Sequence, residues 1–214
     1  METLSKMFGG NARVKMMRLF LLNQDIYFEP KDIASRSKVS SASVRKELAN
    51  LMSFGFIKKK ALPPKTKRKI SKKKKKGKVS SGSRRFSYVF DHGFPYTDAL
   101  SSILVEKDTV SKGDMATRFR RAGKIKALVV SGIFIKEKDS RVDILVVGDG
   151  IKRPVVDRLV KDFEAELGKE LSYAVFETPE FIYRLGMRDK LVSDILDYPH
   201  QMVVDSIGLS TRSN

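Results

Sequence analysis

Apolar residues recur at helical spacing in two short segments between Glu29 and Phe56, and a polar stretch at 37–41 separates the segments. This pattern predicts a helix, a tight turn and a second helix. The second helix is expected to begin at Ser40 or Ser41, because either hydroxyl can cap the free amides of a first turn. The apolar positions are Ile33, Ala34, Val39, Val44, Leu48, Leu51 and Met52.

Another apolar stripe lies upstream, between Gly10 and Asn23, and predicts a helix before this pair. Gly9 and Gly10 are expected to form a flexible approach to that helix. Residues 26–28 predict a short strand or an extended link, and Pro30 suits the first turn of the next helix. The stripe consists of Val14, Met16, Met17, Phe20 and Leu21.

A β-hairpin is predicted after the second helix. Ile57 opens its first strand, and residues 85–90 form the return strand, in which Phe86, Tyr88 and Phe90 share one side. The intervening segment repeats lysine, carries the pair Pro63-Pro64 and has few residues that could pack. It is therefore predicted to be disordered.

The C-terminal half alternates helices and strands. Two strands have near-continuous apolar runs, which predicts central strands that are covered on both faces. Strands are expected at 126–135, 142–147 and 171–177, an edge strand at 201–207, and helices at 96–106, 115–122, 155–167 and, as one helix or two, 179–196. Gly168 is expected to end the helix at 155–167 as a left-handed cap.

These elements predict an α/β (α+β) protein with two domains, as its 214 residues suggest. The N-terminal domain is expected at 1–95 with a basic insertion at about 61–83. A connecting helix is expected at 96–110, and a C-terminal domain with a mixed sheet and helices at 111–208.

The positive charge is concentrated in one segment. Fifteen of the eighteen net positive charges lie between Lys58 and Arg85, where there is no acidic residue, so the rest of the chain carries only +3. Such a run attracts polyanions in a salt-dependent way. No apolar stretch is long enough to span a membrane, and the N-terminus lacks a signal-type apolar core. With no cysteine, a cytosolic (cytoplasmic) protein is the simplest expectation.

The residues DIASRSKVSSASVRKELANLMSFGFIKKK resemble the winged helix-turn-helix family of transcriptional regulators, of the ArsR/MarR type. The resemblance covers roughly the first third of the chain, and it implies that the hairpin is the wing. Small hydroxyls and cations at the exposed start of a helix suit base readout in the DNA major groove. Direct readout is expected from Ser41, Ser43, Arg45 and Lys46.

Phosphate contacts are expected from Lys38 and the wing, which position the protein without reading sequence. The wing residues are Lys58, Lys59, Lys60, Lys67, Arg68, Lys69, Lys72, Lys73, Lys74, Lys75, Lys76, Lys78, Arg84 and Arg85. Two plainer interpretations stay open: a small helical bundle with serines at a helix start, and a solvated or localisation-type basic loop.

The C-terminal half resembles the minimal nucleotidyltransferase family in VVSGIFIKEKDSRVDILVVGD and the residues after it. That family has a Gly-Ser or Gly-Gly pair after the first strand, for the nucleotide phosphates, and an Asp-x-Asp pair at the second strand that holds two magnesium ions. Gly132 takes the glycine position, but Ile133 follows it. Arg141 stands at the first carboxylate and only Asp143 matches the second, so the resemblance implies a catalytically inactive domain. The alternative to any retained ligand role is that Arg141 and Asp143 are simple surface charges at a strand edge.

The leading interpretation is therefore a DNA-binding transcriptional regulator whose inactive C-terminal domain dimerises, senses a ligand or binds a partner. RNA or ribosome binding is the second interpretation. An active nucleotidyltransferase that uses other acids, such as Asp139 or Glu177, is the third. Double-stranded DNA is the expected partner, RNA is the alternative, and a homodimer is compatible with palindromic sites. No cofactor, metal or membrane partner is predicted, and His92 and His200 are expected to be loop residues.

Overall fold

The structure, a computed structural model, describes residues 2–62, 85–105, 110–137 and 140–209. The chain divides into two compact units, unit 1 at Met1–Val105 and unit 2 at Glu106–Asn214. The fold is mixed α and β, with a two-stranded sheet in unit 1 and a four-stranded sheet in unit 2. The predicted mixed class is confirmed at this level.

Unit 1 begins with a helix that the sequence analysis did not predict. Helix α1 lies before Gly9, and its Leu4 packs with Phe8 against the core of the unit. The apolar residues of this short segment are Met1, Leu4, Met7 and Phe8, and a run of eight residues is too short for a clear periodic signal. The elements of unit 1 are α1 (Glu2–Met7), α2 (Asn11–Leu22), α3 (Pro30–Ser37), α4 (Ser41–Ser53), β1 (Ile57–Leu62), β2 (Arg85–Phe90) and α5 (Thr97–Leu104).

Helices α3 and α4 form the predicted helical pair, and side chains define their ends. The Asp32 carboxylate accepts a hydrogen bond from the Glu29 amide (3.2 Å) as part of a reciprocal capping box. Lys38 takes the left-handed conformation (φ 49°) and ends α3. The Ser40 hydroxyl accepts from the Ser43 amide (3.2 Å), so α4 begins where the sequence predicted.

Strands β1 and β2 form the predicted antiparallel hairpin, in register from Ile57 with Phe90 to Leu62 with Arg85. The extended link before α3 adds to this sheet, because the amides and carbonyls of Phe28 and Tyr88 exchange two 2.8 Å hydrogen bonds. Phe28, Tyr88 and Phe90 are buried in the core of unit 1.

Helix α5, predicted as a connector between domains, belongs to unit 1. Its last residue, Leu104, is fully buried in the core of that unit. The Leu104 carbonyl accepts a 2.6 Å hydrogen bond from Nε of Arg18 on α2, whose side chain is buried. Burial of a guanidinium requires such acceptors, so this contact joins α5 to α2.

Unit 2 is a mixed sheet with helices on both faces. The strand order is β5-β4-β3-β6, with β4 and β5 parallel and the other neighbours antiparallel. Strand β6 is thus the predicted edge strand, and the helical region at 179–196 is two helices. The elements are α6 (Lys112–Phe119), β3 (Lys124–Val130), β4 (Ile144–Asp149), α7 (Arg153–Leu167), β5 (Tyr173–Glu177), α8 (Thr178–Gly186), α9 (Lys190–Asp197) and β6 (Gln201–Asp205).

The two central strands are buried on both faces, as their apolar runs predicted. Alternate residues of β3 and β4, such as Leu128 and Val146, join the core under α6 and α7. The intervening residues, such as Val129 and Leu145, join a second core with Phe181 of α8. Helix α7 ends at Gly168 in the left-handed conformation (φ 84°), which confirms the predicted cap.

The first central strand is shorter than predicted. The sequence predicted a strand to Ile135, but β3 ends at Val130 and a 3-10 turn follows at Gly132–Phe134. Gly132 has a left-handed φ of 56°, which takes the chain out of the sheet. The apolar run continues through this turn because Ile133 and Phe134 pack against the core under α7.

Candidate nucleic-acid interface

The start of α4 presents polar and cationic side chains to solvent. Ser41, Arg45 and Lys46 are exposed, whereas Ser43 is half-buried. The Ser43 hydroxyl also accepts a 2.9 Å hydrogen bond from Ser40, so the serine predicted to read bases is part of the helix cap. Val44, Leu48 and Leu51 occupy the opposite face of α4 and hold it on the core.

A partly buried ion pair removes the one acidic charge of α4 from the exposed face. Glu47 is buried, and its Oε2 lies 2.6 Å from Nε of Arg13 on α2. Asn50 donates a second hydrogen bond to the same oxygen (3.3 Å). Arg45 and Lys46 therefore define the charge of the outer face of α4. Sequence reasoning missed this pair, because its two residues lie 34 positions apart.

The lysines of β1 differ in their surroundings, although all three are exposed. Nζ of Lys58 lies 2.7 Å from Oδ1 of Asp91, and this hydrogen bond, followed by one from the Gly93 amide, holds the pKa of Asp91 below its usual value. Nζ of Lys59 lies 3.7 Å from the centre of the Phe86 ring. Lys58 thus has an acidic partner, whereas Lys59 lies against an uncharged ring.

The opposite strand of the hairpin has a paired cation as well. Arg85 forms an ion pair with Glu29, next to the start of α3. Lys60 of β1 lies over Tyr27, with Nζ 4.8 Å from the ring centre, and Tyr27 is exposed. Sequence reasoning did not anticipate the acidic partner of Arg85 or the contact between Lys60 of the hairpin and Tyr27 in the link before α3.

Several predicted phosphate-binding residues, and the predicted disordered segment, lie outside the described residues. These residues are Lys67, Arg68, Lys69, Lys72, Lys73, Lys74, Lys75, Lys76, Lys78 and Arg84. Lys38 is described and exposed in the turn between α3 and α4. Of the predicted set, the structure therefore places Lys38, four residues of α4 and four residues of the hairpin in unit 1.

The second predicted site, in unit 2, brings Gly132 and Asp143 together. Both oxygens of Asp143 accept from backbone amides, Oδ1 from Ile133 (3.1 Å) and Oδ2 from Ser172 (2.8 Å). The Ser140 hydroxyl accepts from the amide of Gly132 (2.9 Å). The carboxylate that matches a metal ligand in the sequence therefore holds the loop after β3 against the strands.

Arg141 forms an ion pair with a residue outside the predicted nucleotide site. Its Nε lies 2.8 Å from Oδ2 of Asp194 on α9. The carboxylate of Glu177, a proposed alternative acid, accepts from the amides of Gly150 (3.1 Å) and Ile151 (3.0 Å). Asp139, the other alternative, lies outside the described residues. Within the described ranges, no group of three or more acidic, histidine or cysteine side chains could hold a metal ion.

Two further observations bear on the class of protein. Across residues 2–62, 85–105, 110–137 and 140–209, none of the helices has the length and apolar character that a membrane span requires. No protein family model, curated protein or solved structure matches the chain.

Proposed function

We propose that this chain is a DNA-binding transcriptional regulator, in which unit 1 is a winged helix-turn-helix domain of the ArsR/MarR type. In this proposal α3 and α4 are the helix-turn-helix, α4 enters the major groove, and the β1–β2 hairpin is the wing. Double-stranded DNA is the partner, and the protein acts in the cytoplasm.

The exposed start of α4 is the observation that carries this proposal. Arg45 and Lys46 are exposed there, while the acidic Glu47 of the same helix is buried against Arg13. A helix that approaches bases and phosphates with its N-terminal turns needs such an uncompensated cationic face. The lysine-rich segment that follows α4 adds sequence-independent attraction to phosphates.

Selection of bound sequences from a random duplex library tests the proposal directly. The full chain should enrich a defined motif, and the Arg45→Ala variant should enrich it poorly. A pool that stays random after repeated rounds, at a salt concentration where binding persists, would contradict sequence readout. Lys31, which is exposed on α3, provides the control variant Lys31→Ala.

For unit 2 we propose a nucleotidyltransferase-like fold without catalysis, which serves in dimerisation, sensing or partner binding. In this proposal an arginine, Arg141, stands in place of the first metal-binding carboxylate and is paired with Asp194, and both oxygens of Asp143 already accept from amides. We expect no transfer of label from any nucleoside triphosphate in the presence of magnesium or manganese. Robust transfer would overturn this part of the proposal and favour an active enzyme.

RNA binding is a second candidate, supported by the exposed ring of Tyr27 beside Lys60. Exposed aromatic rings next to cations stack on unpaired bases. Competition between duplex DNA and structured RNA at a fixed salt concentration separates the two candidates. A clear preference for RNA, lost in Tyr27→Ala, would replace DNA with RNA as the partner.

A further inference from the structure

Four exposed cations of unit 2 lie at one end of its sheet, on segments that are distant in the sequence. Two of them are in the 3-10 turn that follows α6 (Arg120–Ala122), one begins β3, and one precedes α7. We define them as the unit 2 basic patch, which consists of Arg120, Arg121, Lys124 and Lys152, all exposed.

Backbone contacts bring these segments together. The amide of Lys152 donates a 2.7 Å hydrogen bond to the carbonyl of Ala122, the last residue of the 3-10 turn. At the next residue, Gly123, a Cβ would lie only 2.9 Å from the carbonyl oxygen of Gly150. The turn between β4 and α7 therefore packs directly on the chain that joins the two arginines to Lys124.

Two acidic residues lie next to the unit 2 basic patch. The carboxylate of Glu177 accepts hydrogen bonds from the amides of Gly150 (3.1 Å) and Ile151 (3.0 Å), so both of its oxygens hold the turn before α7. Asp149 lies opposite Lys124 in the register of β3 and β4 and is half-buried. Neither carboxylate forms an ion pair with the four cations.

The unit 2 basic patch has no acidic partner within the ranges that the structure describes. Three arginines elsewhere in unit 2 show the opposite behaviour, because acidic side chains hold each of them. These pairs are Arg118 with Asp114 and Glu166, Arg141 with Asp194, and Arg184 with Glu180 and Asp189. The four cations are therefore available to an external anion.

The charge of unit 2 is balanced overall but unevenly distributed. Residues 106–214 contain 19 lysines and arginines and 18 acidic residues, whereas residues 115–136 contain six cations and no acid. Such a local excess of positive charge attracts polyanions even when the net charge is small.

The chemistry of the unit 2 basic patch favours a phosphate backbone over other anionic partners. The cations are spread over exposed positions of three segments, which suits a row of phosphates better than one small anion enclosed in a pocket. Among the described residues, no large exposed apolar side chain lies at 110–137 or 149–154, so a membrane surface would find no anchor there.

We propose that the unit 2 basic patch binds the phosphate backbone of duplex DNA, as a second contact besides that of unit 1. This inference rests on the proposed function for the identity of the nucleic acid. The patch is separate from the predicted nucleotide site, because Lys124 begins β3 and Gly132 follows its end. At about 3.3 Å per residue, the two sites are roughly 20 Å apart.

Salt titration of the full chain on a random-sequence duplex tests the proposal. Each phosphate contact contributes about 0.9 to the slope of log affinity against log salt, so Lys124→Gln with Lys152→Gln should reduce the slope by up to about 1.8. The matched control is Lys169→Gln with Lys190→Gln, which removes two exposed lysines outside the patch and should leave the slope unchanged. Thermal unfolding should be nearly unchanged in both double variants, because all four side chains are exposed.

A tethered probe locates the contact. The chain has no cysteine, so Lys152→Cys and Lys169→Cys each accept a single iron–EDTA group. Helix α7 separates the two positions by about 22 Å at 1.5 Å per residue. The probe at position 152 should cleave bound duplex, and the probe at position 169 should cleave it weakly or not at all.

Equal salt slopes for the two double variants, or no cleavage from position 152 while the duplex stays bound, would overturn the patch. A reduced slope on structured RNA with an unchanged slope on duplex DNA would overturn DNA as its partner. Sequence selection tests unit 1 separately. A pool that stays random while the patch variant lowers the slope would overturn sequence readout and retain the patch, and the converse result would do the opposite.

Discussion

Asp143 and Gly132 occupy one corner of unit 2, where the carboxylate of Asp143 takes the space that a Cβ on Gly132 would need. The same carboxylate accepts a hydrogen bond from the backbone amide of Ile133, the residue that follows Gly132. Gly132 is therefore required here by Asp143, the other residue of the predicted degenerate nucleotide site. This local reason for both residues needs no nucleotide.

Gly132→Ala should therefore destabilise unit 2 by two effects, a left-handed φ and a clash with Asp143. Gly150→Ala isolates the first effect, because Gly150 has φ 63° and nothing within 4 Å of an added Cβ. We expect a loss of about 1 kcal/mol in the free energy of unfolding for Gly150→Ala and of at least about 2 kcal/mol for Gly132→Ala. Hydrogen exchange of the β3 and β4 amides measures the stability of unit 2 separately from that of unit 1. Equal losses would argue against the clash.

Arg45→Ala should weaken binding to a selected DNA sequence more than binding to random duplex. A bidentate contact from arginine to a base contributes about 1–3 kcal/mol of discrimination, so the specificity ratio should fall roughly fivefold or more. Fluorescence anisotropy at one salt concentration measures both affinities. Lys31→Ala should leave the ratio unchanged. An equal loss on both duplexes would assign Arg45 to phosphates.

The lysines at 72–76 should determine much of the salt dependence of binding. Each phosphate contact contributes about 0.9 to the slope of log affinity against log salt, so replacing these lysines with glutamine should reduce the slope by up to about 4.5. Titration at several salt concentrations measures this. An unchanged slope would remove this run from the interface.

Within the hairpin, Lys59→Gln should reduce the salt slope more than Lys58→Gln. Lys58 already forms an ion pair with Asp91, whereas Lys59 lies on the uncharged ring of Phe86. The two variants remove the same charge from neighbouring positions, so each controls for the other. The reverse order would show that the Asp91 pair opens on binding.

The turn after β2 should lose stability in acid as Asp91 becomes protonated. Lys58 and then the Gly93 amide lower the pKa of Asp91 below its ordinary 3.8, so the ionised form stabilises the folded hairpin. This stabilisation is complete above that ordinary value and is lost as the pH falls through the lowered pKa. NMR titration of the Asp91 carboxyl should show a higher pKa in Lys58→Gln. The Lys59→Gln variant should leave that pKa unchanged.

Some of the candidate site could be predicted from the sequence, because the signals are local. The cap at Ser40 and the exposed start of α4 follow from residue types within one turn of helix. The neutralisation of Glu47 by Arg13, of Lys58 by Asp91 and of Arg85 by Glu29 could not be predicted, because each pair joins positions 33 or more residues apart. Among the described residues, these pairs decide that Lys58 and Arg85 of the predicted set have acidic partners.

The sequence by itself determined the type and approximate place of most elements, since the helical and strand periodicities of segments such as α7 and β4 repeat over neighbouring residues. Only the tertiary structure decided where β3 ends, that α5 belongs to unit 1, and that Asp143 binds two amides. Those outcomes depend on contacts between distant positions, which no local period records. The exposure of Ile182 and Tyr183 on α8 belongs to the same class, because only the packing of Phe181 into the core decides that they face outward.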